Sequence, residues 1–174
     1  DLQVLRIRGN YLEEPALRTN WPDDFRSLTG LLLRRTGLRL FEVQKVFRLE
    51  WLNLSANRMY KFPNTCQNES SLFPNLTYML LATNEIRFIN SSELCLPKLR
   101  YLDLGYNKIS VMNGLPLPNL NALLLSNNRL KAATDMSIPH TTWLPSNTAL
   151  ESLTMTSNDF TLVNETRFLQ LFGH

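Results

Sequence analysis

A repeated pattern of leucines constrains the fold of this chain more than any other feature of its sequence. Seven segments of the 174 residues follow the template L-x-x-L-x-L-x-x-N-x-L, with other apolar residues in some leucine positions. Successive segments start 21 to 30 residues apart, at Leu2, Leu28, Leu49, Leu76, Leu99, Leu120 and Leu150. A unit this short cannot bury its leucines alone, so the pattern indicates units that stack on one another.

The spacing of the leucines predicts one β-strand in each unit. Within L-x-L the leucines alternate with other residues, which is the pattern of a strand with one buried face. The asparagine that follows has a side-chain donor and acceptor, which suits it to bond backbone groups left open where the strand ends. Thr36 takes this position in the second unit. Its hydroxyl can make only part of those bonds, so we expect a weakness there of about 1 kcal/mol.

This template is typical of leucine-rich repeats. We predict an α/β fold: a leucine-rich-repeat solenoid shaped as a curved right-handed horseshoe, with a concave parallel β-sheet and an irregular or short-helical convex side. Residues 1–174 would form a single stretch of about seven complete repeats, with the start of an eighth at Leu171. Neither end carries a polar or disulfide-closed cap, so we expect an uncapped fragment of a longer ectodomain.

Apolar residues also stand shortly before the first leucine of most repeats. They lie in the segments that lead the chain from one strand back to the next, hereafter the return segments, and should close the core from the side opposite the strands. The residue three positions before that leucine is apolar in five of six cases, namely Phe25, Val46, Phe73, Leu96 and Leu117. Proline follows the last three, where it stops any helix before the next strand. Asn147 breaks the pattern inside the longest repeat.

Cysteines and glycan acceptors favour an extracellular chain. Cys66 and Cys95 follow the asparagines of consecutive repeats at similar distances, so they could meet on one side of the stack. Two buried thiols are the alternative, but the acceptors favour a disulfide. Five N-x-S/T acceptors occur, at Asn53, Asn68, Asn75, Asn90 and Asn164. Asn53 is unusual because it lies within a predicted strand on the concave face, where a glycan would cover ligand surface.

Composition and motif content argue against several classes of function. The net charge is +3, and residues 1–48 carry the whole excess, with nine basic and six acidic residues. No run of five or more Lys or Arg occurs, so nucleic acid is not favoured as a partner. The chain has two histidines and no catalytic or nucleotide-binding motif, so we predict that it is not an enzyme. We expect no cofactor, and the cysteine spacing does not suggest a metal site.

Aromatic residues on the concave face are the first candidate contact surface. Trp51, Tyr78 and Tyr101 each stand just before the second leucine of a repeat. Since neighbouring strands lie about 4.8 Å apart, these three side chains should form a contiguous row. Large aromatic residues anchor many interfaces, although the row could equally serve only to pack along the sheet.

Two further regions are candidate contact sites. Arginines of the first two repeats should point outward and could meet an acidic partner, or could simply be solvated; they are Arg6, Arg8, Arg34 and Arg35. The long insertion from Lys131 to Ala149 carries His140 and Trp143. Such an insertion could contact ligand, or Trp143 could fold back to fill the space beside Asn147.

The chain resembles the ectodomains of Toll and Toll-like receptors, above all those of the invertebrate Toll type. The resemblance rests on residues 99–109 (Leu-Arg-Tyr-Leu-Asp-Leu-Gly-Tyr-Asn-Lys-Ile), on return segments such as Phe73-Pro-Asn-Leu76, and on irregular repeat lengths with glycan acceptors. It implies a cell-surface, single-pass receptor, spanning the membrane outside this chain. The ectodomain would bind a cytokine-like protein or a microbial ligand and form homo- or heterodimers that signal in innate immunity or development.

A cell-adhesion or extracellular-matrix protein could use the same scaffold. The full-length sequence would discriminate the two hypotheses, because a cytoplasmic signalling domain after a membrane span would exclude the adhesion hypothesis.

Overall fold

A computed structural model describes residues 2–12, 16–19, 27–43, 45–113, 115–131 and 149–159 of the chain. Strands dominate this part. They are β1 (Val4–Arg8), β2 (Ala16–Thr19), β3 (Gly30–Arg34), β4 (Leu40–Val43), β5 (Trp51–Asn53), β6 (Cys66–Gln67), β7 (Ser70–Ser71), β8 (Tyr78–Leu80), β9 (Phe88–Asn90), β10 (Tyr101–Asp103), β11 (Val111–Asn113), β12 (Ala122–Leu124) and β13 (Ser152–Thr154). Helix is limited among them to short 3₁₀ turns such as Ser91–Glu93.

Seven of these strands form one parallel sheet, in the order β1-β3-β5-β8-β10-β12-β13. Each strand pairs with its neighbour at equivalent positions of the repeat. Leu52 of β5 is opposite Leu31 and Met79, and Leu102 of β10 is opposite Met79 and Leu123. The buried leucines therefore stack turn upon turn in one row, and the predicted leucine-rich-repeat solenoid with a parallel sheet is confirmed.

The core lies behind this sheet and is closed from the other side by the return segments. Leu52, Leu102 and Leu123 are fully buried, and each contributes about 2 kcal/mol of burial free energy. From the opposite side, Phe73, Leu96 and Leu117 are also buried. The turn that follows each of them closes with a bond to its carbonyl oxygen, as from the Leu76 amide to Phe73 at 3.2 Å. The return segments thus plug the core as their sequence predicts.

A ladder of asparagine side chains joins consecutive turns. Asn107 is buried, and its Nδ2 donates to the carbonyl oxygens of Leu104 in its own turn and Leu81 in the turn before, both at 3.0 Å. Its Oδ1 accepts from the amide of Ile86 at 3.1 Å. The same arrangement recurs at other turns, at Asn57, Asn84, Asn128 and Asn158. Each amide therefore satisfies backbone groups of two turns at once.

Thr36 fills the ladder position of the second turn in a different way. The side chain is fully buried, and both its amide N–H and its hydroxyl donate to Oδ1 of Asn57, at 2.9 and 3.0 Å. The amide of Leu12 donates to the backbone carbonyl of Thr36 at 3.1 Å, whereas in later turns the equivalent amide donates to an asparagine side chain. Thr36 is therefore bonded, but its side chain has no amide group with which to bridge back to the first turn.

The backbone enters a left-handed conformation immediately before every ladder position. These residues have φ angles between 55° and 74°, and they are Gly9, Arg35, Ala56, Thr83, Tyr106, Asn127 and Ser157. Most residue types pay a steric cost of about 1 kcal/mol or more in this region, and glycine pays none. Since only one of the seven is glycine, the turn geometry is imposed by the repeat.

The convex side is built from small pieces of sheet. β2 pairs with β4, and β9 pairs with β11, both in parallel. β6 and β7 form an antiparallel hairpin. The predicted disulfide between Cys66 and Cys95 is confirmed, with a Cα–Cα distance of 5.1 Å, and it joins the return segments of two consecutive repeats.

Candidate ligand-binding surface

The concave face is formed by the side chains that alternate with the buried leucines of the main sheet. Trp51, Tyr78 and Tyr101 are in register across β5, β8 and β10. The ring centroids of Trp51 and Tyr78 are 4.4 Å apart with an interplanar angle of 26°, and those of Tyr78 and Tyr101 are 5.9 Å apart. The three rings, hereafter the aromatic row, therefore contact one another as the repeat spacing predicts.

The aromatic row is ordered by its own packing and still open to solvent. Offset aromatic pairs of this kind contribute about 1 kcal/mol each beyond their burial. Trp51 nevertheless remains 50% exposed. The register neighbours at the two ends of the row are small, Gly30 beside Trp51 and Ala122 beside Tyr101. The side chain of Val4 packs against Gly30, so the row combines preorganised rings with a small neighbour, Ala122, at its other end.

A second line of side chains lies beside the aromatic row, two residues further along each strand. It is partly apolar, because half-buried Leu80 and Leu124 point outward, and partly polar, with Asn53 and Asp103. These leucines are not among the contact residues predicted from the sequence. The signal was present, since Leu124 stands in the variable position between Leu123 and Leu125 of its template.

The electrostatics of the aromatic row are set by Asp103. Its Oδ1 accepts from the amide of Gly105 at 3.0 Å, which fixes the carboxylate at the end of β10. Burial raises the pKa of Tyr101 above the ordinary value of 10.0, and the negative charge of Asp103 raises that pKa further. Both effects favour the neutral form of the Tyr101 hydroxyl over its ionised form.

The predicted arginines divide between two places. Arg6 and Arg8 on β1 and Arg34 on β3 are exposed, and Arg8 is in register with Arg34. Arg35 lies beyond the end of β3 in the left-handed position, at the edge of the sheet rather than within it. His140 and Trp143 of the insertion lie outside the described residues, as does Asn164.

The four described glycan acceptors differ in how freely their amides are presented. Asn68 lies exposed between β6 and β7. Asn90, at the end of β9, accepts from the amide of Ser92. Asn75 is engaged structurally, since its Nδ2 donates to the carbonyl of Phe47 at 2.6 Å. Asn53 lies on the concave face in β5, where its Oδ1 accepts from the amide of Ser55.

Within the described residues, no helix has the length and apolar character needed to cross a membrane. The same part of the chain contains no group of three or more His, Cys, Asp or Glu residues placed to hold a metal ion.

Comparison with known proteins agrees with this architecture. Residues 98–121 match the family described as Leucine Rich Repeat. Toll-like receptor 2 of Pan troglodytes and of Homo sapiens are each 29% identical over 144 residues, covering 79% of this chain. Toll-like receptor 2 of Boselaphus tragocamelus is 30% identical over 148 residues, covering 78%. The chain spans 17% of the length of these curated relatives.

The fold and its surface thus define a leucine-rich-repeat solenoid. The relatives add a narrower likeness, because the chain is similar to a leucine-rich-repeat segment of Toll-like receptor 2. The predicted resemblance is confirmed at this level; its narrower form, the invertebrate Toll type, stays a prediction. The disulfide and the receptor similarity both indicate an extracellular segment.

Proposed function

We propose that this chain is a ligand-binding segment in the ectodomain of a Toll-like signalling receptor of innate immunity or development. The ligand would be a secreted, cytokine-like protein or a microbial product, and its binding would support homo- or heterodimerisation of the receptor. The membrane anchor would be a single span outside the chain. A role in cell adhesion or in the extracellular matrix is the alternative.

The aromatic row carries this proposal. Tyrosine and tryptophan supply large contact areas with few rotatable bonds, so they lose little conformational entropy on binding. Here Trp51 and Tyr78 are already stacked at 4.4 Å, which lowers that loss further. Trp51 is 50% exposed in this arrangement, so half of its surface is available to a partner.

A matched pair of variants tests the role of the row. Phe88 is 49% exposed but lies in β9 on the convex side, so Phe88→Ala removes a similar exposed aromatic from another face. The full-length receptor would be expressed on cells as Trp51→Ala or as Phe88→Ala. Killed bacteria and conditioned medium from immune-challenged cells of the same species serve as stimuli. We expect Trp51→Ala to lower the response at least about tenfold, as interface anchors do, and Phe88→Ala to leave it unchanged. Equal responses from both variants would remove the aromatic row from the proposal.

Glycan occupancy gives an independent test. A glycan on Asn53 would stand in the same strand as Trp51 and cover the concave face. We therefore expect Asn53 to be unmodified and Asn68, exposed in its hairpin, to be modified, as measured by mass spectrometry of glycopeptides from the secreted ectodomain. Full occupancy at Asn53 would contradict ligand binding at the aromatic row.

A further inference from the structure

A second surface follows from the residues that come just after the asparagine ladder. The amide of Arg58 donates to the carbonyl of Leu38 at 2.9 Å, and those of Lys108 and Arg129 donate to Ile86 and Ile109 at the same distance. The amide of Glu85 donates to Met59 in the equivalent place. These backbone bonds stack Arg58, Glu85, Lys108 and Arg129 at one position of four consecutive turns. The row lies at the edge where the strands of the main sheet end.

A parallel row runs two residues further along each turn. Ser110 donates from its amide to the carbonyl of Arg87, which aligns these positions in neighbouring turns. Together with Arg35 before the ladder, the two rows place seven basic side chains on this edge, hereafter the basic edge: Arg35, Arg39, Arg58, Arg87, Lys108, Arg129 and Lys131. All are exposed except Lys108, which is half-buried.

Few acidic residues offset this charge. At the same repeat positions of the described chain, only Glu85 and Asp159 are acidic. Glu85 accepts from Nζ of Lys108 at 2.7 Å. That bond lowers the pKa of Glu85 most, and the charges of Arg58 and Arg87 lower it further. Glu85 therefore lies among three positive charges, those of Lys108, Arg58 and Arg87, and its one carboxylate does not neutralise them.

The opposite edge, where the strands begin, has no such excess. Acidic and basic side chains are mixed there: Glu50 and Glu151 lie among Arg48, Lys98 and Arg100. Asn75, a glycan acceptor, also lies on that side, next to Lys98. None of the four described acceptors occupies a position of the basic edge.

We propose that the basic edge binds a linear polyanion of the sulfated polysaccharide class. Each of the five turns from the second to the sixth carries at least one of these cations, and strand pairing spaces the turns about 5 Å apart. A line of charges of this kind matches a polymer with regularly repeated charges better than a folded acidic protein. Arginine, which makes up five of the seven, bonds oxyanions through two parallel N–H groups. The disulfide indicates an extracellular segment, and sulfated polysaccharides are the abundant polyanions of the cell surface and matrix. The basic edge does not include the aromatic row, so this proposal stands apart from the function proposed above.

Heparin, as the sulfated polysaccharide, tests the proposal on the full-length protein. The test variant is Arg58→Gln/Arg129→Gln. The control variant is Arg48→Gln/Arg100→Gln, which removes the same amount of charge from the opposite edge. All four arginines are exposed, and a substitution keeps the backbone bonds of Arg58 and Arg129. We expect the test variant to bind heparin at least about tenfold more weakly at physiological salt, with a shallower salt dependence, and the control to change by less than about twofold.

Three results would overturn the proposal. Equal losses in the two variants would indicate attraction by overall charge rather than by the basic edge. Wild-type protein that does not bind heparin at physiological salt would exclude the ligand class. Tighter binding of duplex DNA than of heparin, lost in the same variant, would assign the edge to nucleic acid. Thermal unfolding of both variants checks that the fold is retained.

Discussion

The concave face and the basic edge are built from the same repeats, yet they differ in chemistry. On the concave face the strand spacing brings Trp51, Tyr78 and Tyr101 into contact beside the carboxylate of Asp103. A few residues further along each turn, the same spacing lines up arginines and lysines. In a solenoid, equivalent positions of successive repeats thus form a line of side chains on the surface. A ligand binds one such line rather than one segment of the sequence.

Asn107→Ala should break both surfaces and have the largest effect. The ladder side chain supports the end of the concave strand and the start of the basic edge, and its removal leaves the amide of Ile86 and the carbonyl of Leu81 buried without it. We expect a loss of about 4 kcal/mol in the free energy of unfolding, measured by urea denaturation. Asn121→Ala is the control: Asn121 is half-exposed, bonds Ala149 at 3.1 Å, and should cost about 1 kcal/mol. Equal losses would show that the ladder is not what joins the turns.

Loss of the disulfide should destabilise the fold while sparing both surfaces. Cys66 and Cys95 close a loop with a sequence separation of 29 on the convex side. Chain-entropy arguments put the contribution of such a loop at about 3.5 kcal/mol. The double variant Cys66→Ser/Cys95→Ser should therefore unfold at lower urea but keep wild-type heparin affinity under conditions where it is folded. A heparin affinity that falls with stability would mean that the convex side shapes the basic edge.

Thr83→Gly should stabilise the turn between the two surfaces. Thr83 is exposed and β-branched and holds a φ of 59°, which glycine adopts without steric cost. We expect a gain of about 1 kcal/mol in the same urea experiment. Ala82→Gly, one residue earlier and not in the left-handed region, is the control and should destabilise. Destabilisation by Thr83→Gly would mean that its side chain matters more than its backbone.

Two titrations should sharpen the contrast in charge, with the smallest effects on stability. Asp103→Asn keeps an acceptor for Gly105 but removes the charge, so the pKa of Tyr101 should fall. Lys108→Met should raise the pKa of Glu85 towards 4.5. Folding raises the pKa of Tyr101, so the contribution of Tyr101 to stability decreases as pH rises above 10.0. Folding lowers the pKa of Glu85, so the contribution of Glu85 to stability decreases as pH falls below 4.5 and through the pKa of the folded state. NMR titration would follow both, and unchanged pKa values would contradict the assigned environments.

Much of this architecture could be predicted because the repeat fixes register. The strands, the role of the asparagines and the aromatic row all follow from counting positions, and Cys66 and Cys95 pair because they occupy similar places in consecutive turns. The basic edge could not be predicted from a charge count along the chain, since that count assigned the excess to residues 1–48. Arg58, Lys108 and Arg129 each follow a ladder asparagine directly. In a sum of charges along the chain, acidic residues at other positions of the repeat cancel these three positive charges. Thr36 was expected to be a weakness, and only the structure reveals how backbone carbonyls and Asn57 replace part of its bonding.

The separation of the two surfaces can be tested in one cross-comparison. Trp51→Ala and Arg58→Gln/Arg129→Gln receptors would each be measured for heparin affinity and for the response to conditioned medium or killed bacteria. We predict that Trp51→Ala loses the response and keeps heparin binding, while the arginine variant loses heparin binding and still responds to saturating stimulus. Loss of both activities in either variant, with the fold intact, would contradict the claim that the repeat displays two independent binding surfaces.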